Sequence, residues 1–297
     1  MSRSAAAAPL RFVFIAFFAL LLSFAAVARD AAGPALWKIE GPEGTVYLFG
    51  SFHLLKGGEP WYGGQVQAAF EDATSLTLEL GPDQQAPAVI GPLVHRYGLY
   101  GPTDALKNHI SEASYRELIA VAADSGVPEQ VIANMRPWLA TLTVSLQFAL
   151  AQGFDPEQGV EATLLRHAGL RELPVSGLET AEEQIRFLAE NPPETEQAFV
   201  DDTLRQLDEL PRLFDELSAA WLGGDEAALN RLMVASMAGV PEVYETLLVE
   251  RNRRWVPRIE ALLATPGVHF VAVGAGHLVG PDSVIKMLAA RGIAAER

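Results

Sequence analysis

Five stretches of the chain are apolar over the length of a strand and lack helical spacing. They are "LWKIE" (Leu36 to Glu40), "TVYLFGSFH" (Thr45 to His53), "SLTLEL" (Ser75 to Leu80), "LPVSGL" (Leu173 to Leu178) and "VHFVAVGAGH" (Val268 to His277). β-Branched and aromatic residues dominate them, which predicts strands. Gly41-Pro42-Glu43-Gly44 between the first two predicts a hairpin. The later runs alternate with helix-period patterns, so an α/β fold is expected, with a central mixed, largely parallel sheet. From about residue 102 to 265 the pattern is mostly helical, with helices opening at Ser111, Pro128, Thr180 and Pro241 as capped or proline-started segments do. This reads as a large helical insertion within one domain spanning residues 29–297.

The polar positions sharpen that picture. The segment "DDTLRQLDELPRLFDELSAAWL" (201–222) is amphipathic and acidic, which reads as a helix with a solvated face. "WLATLTVSLQFALA" (138–151) is too short to span a bilayer and carries Thr141, Thr143, Ser145 and Gln147, so it reads as a buried helix. At the start, Arg3 and Arg11 precede the apolar run "FVFIAFFALLLSFAAVA", which ends on Ala26-Val27-Ala28. This predicts a signal peptide over residues 1–28 and a periplasmic or secreted product with no membrane insertion after cleavage. An uncleaved anchor competes, but the small-x-small ending and the polar continuation "RDAAG" favour cleavage.

Charge and cysteine content narrow the function classes. The full chain carries a formal charge of −15, and removing a leader that holds two arginines and no acid makes the remainder more acidic. Such a surface repels phosphate backbones, so nucleic acid is not expected as a partner. With no cysteine, thiol catalysis and thiolate metal sites are excluded, and a metal would have to be held by imidazole and carboxylate.

One echo stands out against this background. "VYLFGSFHLL" (46–55) and "FVAVGAGHLVG" (270–280) each place four apolar residues before Gly-x-x-His, with Gly50 matching Gly274 and His53 matching His277. Both histidines fall at or just past the carboxyl end of a predicted strand, the edge where open α/β sheets bind ligands. If the two strands are neighbours, the imidazoles converge. Two imidazoles plus a carboxylate make a common first-row metal site, and Glu79, a lone acid among leucines in "LTLELGP", is the candidate third ligand. Taken singly, Gly-x-x-His is weak evidence, and a surface strand end is the competing reading of Glu79. His95, His109, His167 and His269 read as structural. No H-E-x-x-H, G-x-S-x-G or phosphate-binding loop is present. Ser51 reads as a small packing residue, and Glu179 as part of a helix start capped by Thr180.

These motifs, with "GLETAEEQIRFL" from Gly177 and "ERN" at 250–252, resemble the TraB/GumN family, which includes the TIKI proteins and is distantly similar to erythromycin-esterase-like and ChaN-like folds. The resemblance spans nearly the whole chain after the leader and is nearest to the bacterial GumN-like secreted members. It implies a metal-dependent hydrolytic centre at His53, His277 and Glu79, and points to Arg251 as a site residue able to stabilise an oxyanion or hold a substrate carboxylate. The expectation is an exported hydrolase cleaving a peptide or amide bond with a divalent ion, Mn, Co or Zn, whose bound water attacks the carbonyl. Two readings compete with it. One is a binding or regulatory protein that sequesters a peptide, haem or small ligand, with Phe52, Trp61 and Tyr62 as pocket aromatics. The other is an accessory of envelope or polysaccharide assembly.

Overall fold

The computed structural model describes residues 33–239 and 241–297, so the leader predicted over residues 1–28 lies outside the described residues. Five strands form one sheet: β1 (Leu36–Glu40), β2 (Gly44–Ser51), β3 (Ser75–Leu80), β4 (Val175–Glu179) and β5 (Gly267–Gly274), in the spatial order β1-β2-β5-β3-β4. β1 and β2 form the expected antiparallel hairpin, and every other pairing is parallel. β5, the last strand in the chain, lies between β2 and β3.

The predicted strands lack a polar face because the sheet has two covered faces. Along β2, Val46 and Leu48 join one core with Trp255, Ile259, Val284 and Leu288, whereas Phe49 joins a second with Phe70, Phe214 and Trp221. β5 divides in the same way, Val271 and Val273 against Phe270 and Ala272. The first core is closed by helices α9 (Glu250–Leu263) and α10 (Val284–Ala290). The second is closed by α1 (Gly64–Asp72) and a larger helical layer. That layer comprises α3 (Glu112–Asp124), α4 (Pro137–Ala151), α5 (Val160–Leu170), α7 (Pro193–Gln206) and α8 (Leu210–Leu222), with shorter helical turns between them, while α2 (Pro87–Gly98) and α6 (Ala181–Ala189) pack together against Trp138 in a smaller cluster. Thr180 caps α6 in a full capping box with Glu183, and Ser111 caps α3, as their sequences predict. The segment 102–265 is mostly helical, as expected, and it also contributes β4 to the sheet. Among the described residues no helix is long and apolar enough to cross a membrane.

The turn after β2 is fixed from three sides. Trp221 donates its indole N–H to the Gly50 carbonyl at 2.8 Å, Val160 N–H bonds the Phe52 carbonyl at 3.0 Å, and Leu55 and Asp155 exchange backbone bonds. Gly159 packs so closely that a Cβ there would meet the His53 carbonyl oxygen at 2.0 Å. Phe52 and Trp61 are buried within this aromatic core against Trp221, which corrects their reading as a ligand wall. Tyr62 stacks on His167 with ring centroids 4.3 Å apart.

Replacing Trp221 by Phe keeps most of the packing but leaves the buried Gly50 carbonyl without its donor. The expected loss is about 1–3 kcal/mol in urea unfolding, with the denaturant slope unchanged.

Candidate functional site

Because β2, β5, β3 and β4 run parallel, their carboxyl ends share one edge, and each delivers a polar side chain there. His53 follows β2 by two residues, His277 ends the 3-10 turn Ala275–His277 after β5, Glu79 is next to last in β3, and Glu179 ends β4. The motifs that match in sequence are offset by one in the sheet: Gly50 pairs with Val273, and Ser51 with Gly274. Gly50 earns its place by close approach, since a Cβ there would meet Ala275 at 3.1 Å.

The centre of the edge is an ion cluster. Glu79 is 6% exposed, Arg251 8% and His277 4%, so none of the three is solvated as a surface charge would be. Arg251, in the first turn of α9, donates Nη2 to both Glu79 Oε2 and Glu179 Oε1, and Nε to Glu179 Oε2 at 3.1 Å. Gln184 on α6 adds amide bonds to both carboxylates, and the Gly274 N–H donates to Glu79 Oε1 at 2.7 Å. Burial opposes ionisation of Glu79, but the charge of Arg251, helped by the neighbouring imidazoles, outweighs it and holds this carboxyl below its usual range. For Glu179 burial prevails over Arg251, and its pKa is raised. Glu179, read from sequence as part of a helix start, is a full member of the cluster.

Each imidazole is oriented by a partner. Asn252 donates Nδ2 to the Asp282 carbonyl, which turns its Oδ1 toward His277 Nδ1 at 2.6 Å. Arg251 Nη1 lies 3.2 Å from His277 Nε2 and can only donate, so that nitrogen carries a lone pair and the ring is neutral. Burial, then the Arg251 charge, pushes the His277 pKa down to about 3. His53 Nδ1 meets Glu161 Oε1 at 2.9 Å, and Ser51 Oγ donates to the same oxygen. The His53 side chain is 37% exposed. Burial lowers its pKa, but the Glu161 charge and hydrogen bond, with Glu79 behind them, raise it overall. Glu161 Oε2 is buried and meets no donor among the described residues.

The structure thus brings Glu79, Arg251 and His277 into direct contact and places His53 beside them, within the field of Glu79 and Arg251. Sequence reasoning missed Glu161, Asn252 and Gln184. Glu161 lies in the first turn of a helix, where an acid is ordinary, and Asn252 stood unassigned within "ERN". His269 bonds Ser75 and the Thr265 carbonyl, a structural role.

The donor chemistry suits a first-row divalent ion. Both histidines engage Nδ1 with an oxygen acceptor, as metal-binding imidazoles do, and His277 Nε2 faces Glu79 Oε1 at 3.9 Å. As folded, the Arg251 guanidinium stands on His277 Nε2 and Glu79 Oε2. Among the described residues no three His, Asp or Glu side chains are already gathered about an ion-sized space. His53, His277 and Glu79 would hold the ion once the guanidinium turns aside.

The two imidazoles should titrate in opposite directions. Unfolded histidine titrates near 6.5. His277 binds its proton less readily when folded, so its contribution to stability is full above about pH 6.5 and is lost as pH falls toward about 3. His53 binds it more readily, so its contribution is full below 6.5 and is lost as pH rises through its raised pKa. Ring-nitrogen NMR at pH 5 should find His277 neutral and His53 protonated. A His277 ring that titrates near 6.5 would contradict the buried arrangement.

The chain is similar in sequence to known proteins. The chain is 29% identical over 185 residues to the uncharacterized protein YbaP of Escherichia coli (strain K12), covering 62% of this chain and 68% of that one, and a Shigella flexneri protein of the same name matches equally. An uncharacterized Treponema pallidum (strain Nichols) protein is 23% identical over 270 residues, covering 86% of this chain and 80% of its own. No solved structure matches. The model of the TraB/PrgY/gumN family matches residues 35–297, all five strands and every edge residue described above, and the chain belongs to that family.

Proposed function

We propose that the protein is an exported hydrolase that cleaves a peptide or amide bond at the carboxyl edge of the sheet, using a divalent ion, Mn, Co or Zn. The observation that supports this reading best is the matched orientation of the two imidazoles. His53 and His277 each engage Nδ1 with a fixed oxygen, His277 presents Nε2 3.9 Å from Oε1 of the buried Glu79, and His53 lies within the field of the same carboxylate. A purely structural histidine does not need that repetition from two strands. Export rests on the leader-like residues 1–28.

His53, His277 and Glu79 would hold the ion, which would supply Lewis acidity and acidify water for attack. The chain's own residues supply the rest. Glu161 and Asn252 fix the imidazole planes, so the ligand atoms are set before substrate arrives. The Gly274 N–H holds one oxygen of Glu79. Arg251 is tied to Glu179 and lies 4.8 Å from the centre of the Trp255 ring, so a guanidinium turned off Glu79 and His277 stays beside the ion on Glu179 and can meet developing negative charge on a tetrahedral carbonyl oxygen.

His53→Ala and His277→Ala should each abolish cleavage of a peptide library while the circular dichroism spectrum of the parent is retained. Chelation should abolish it in the parent, and added Mn, Co or Zn should restore it. Unchanged turnover in the double variant His53→Ala, His277→Ala, or after chelation, would rule out the metal-dependent reading.

A further inference from the structure

An arginine side chain carries five N–H groups, and in Arg251 each has an acceptor. Nε and Nη2 form a fork on the two oxygens of Glu179, and Nη1 donates to the Leu247 carbonyl at 3.2 Å. The remaining two hydrogens go to Glu79 Oε2, from Nη2, and to His277 Nε2 at 3.2 Å, from Nη1. The first three bonds reach groups with no part in holding an ion. The last two reach side chains that the metal-dependent reading needs as ligands.

The conflict is sharpest at His277. A neutral imidazole has one lone pair, here on Nε2, and it cannot accept the Arg251 hydrogen and bind an ion at the same time. Distance is not the obstacle. His277 Nε2 and Glu79 Oε1 are 3.9 Å apart, close to the sum of two metal–ligand bonds of about 2.0–2.2 Å each. Nor must the guanidinium go far to release them. Its fork on Glu179, its bond to Leu247 and its contacts with the Trp255 and Phe187 rings, 4.8 and 5.9 Å from their centres, involve no ligand atom. Charge favours the same division. As folded, one guanidinium serves two buried carboxylates, and a second cation on Glu79 leaves it wholly to Glu179.

We propose that Arg251 is a placeholder cation: its guanidinium covers His277 Nε2 and Glu79 until a divalent ion enters, then retreats onto Glu179, a role that rests on the metal-dependent reading above. Ion binding is then an exchange of cations at Glu79, and Arg251 restrains it. The placeholder keeps the two acids paired while the chain folds, and the fork on Glu179 keeps the displaced arginine beside the site. An ion must compete with the arginine, so its apparent affinity is reduced by the fraction of molecules in which the ligands are uncovered. With about a tenth of the sites uncovered, binding weakens about tenfold.

The test uses the full mature chain without a histidine tag, and reads ion binding directly. In calorimetric titration with Zn or Co, Arg251→Gln should bind about tenfold or more tightly than the parent. The same variant should unfold at a lower temperature without ion and gain more from added Zn than the parent does. Arg251→Lys keeps the charge but cannot form the fork, so it too should bind more tightly, and it serves if Arg251→Gln folds poorly. Arg254→Gln is the control for charge alone. Its guanidinium lies over the Phe187 ring, 4.6 Å from the centre, and this variant should bind Zn as the parent does. In nitrogen-15 NMR of the parent, Zn should shift His277 Nε2 while the Arg251 Nε–H, on Glu179, stays protected from exchange. Equal affinity of the parent and both Arg251 variants, an equal gain in Arg254→Gln, or exposure of the Arg251 Nε–H on Zn binding would overturn the placeholder and leave the metal-dependent reading standing. If neither the parent nor any variant binds an ion, the metal-dependent reading fails and the placeholder fails with it.

Discussion

Glu79 and Glu179 end neighbouring parallel strands, and two buried carboxylates so placed cannot both be ionised unless a cation stands between them. Arg251 is that cation, and much of the edge is arranged to hold it. Its guanidinium bonds both acids, the Leu247 carbonyl and His277, and lies against Trp255. Removing one partner from such a buried group typically costs about 3–5 kcal/mol, because the remaining charges stay desolvated. α9 is therefore tied to β3 and β4 by charge as well as by its apolar face, and the two strand ends are kept together by a residue from neither.

The same contacts fix the chemistry on offer. A guanidinium on His277 Nε2 keeps that imidazole neutral and its lone pair directed into the site. Across the edge, Glu161 does the opposite for His53 and favours the charged ring. One sheet edge thus holds two histidines of opposite protonation tendency: burial and then Arg251 disfavour the charged ring at His277, whereas Glu161 outweighs burial at His53.

The sheet was legible because a strand covered on both faces must be apolar throughout, and all five such runs became strands. The two histidines were legible because a repeated Gly-x-x-His at strand ends is an unusual coincidence. What pairing could not reveal was the place of β5 between β2 and β3, which depends on packing far along the chain. Nor could spacing find Glu161 or promote Glu179, since an acid in the first turn of a helix, or just before one, has an ordinary local reason to be there. Phe52 and Trp61 misled for a related reason: aromatics beside a motif look like a ligand wall until Trp221, remote in sequence, is found packed against both.

The place of β5 has a consequence for how the chain reaches this state. Until Gly267–Gly274 arrives, β2 and β3 have no common neighbour, and each has an edge of unpaired backbone groups that can recruit other chains. The first hairpin must wait for a strand more than two hundred residues downstream, a separation that slows folding through the entropy of closing so long a loop. The sheet is sealed by a strand far along the chain from the two it joins, and that strand leads directly to His277. Pairing of β5 both covers those two open edges and brings the His277 turn to the end of β2, so closing the sheet and assembling the candidate site are one event.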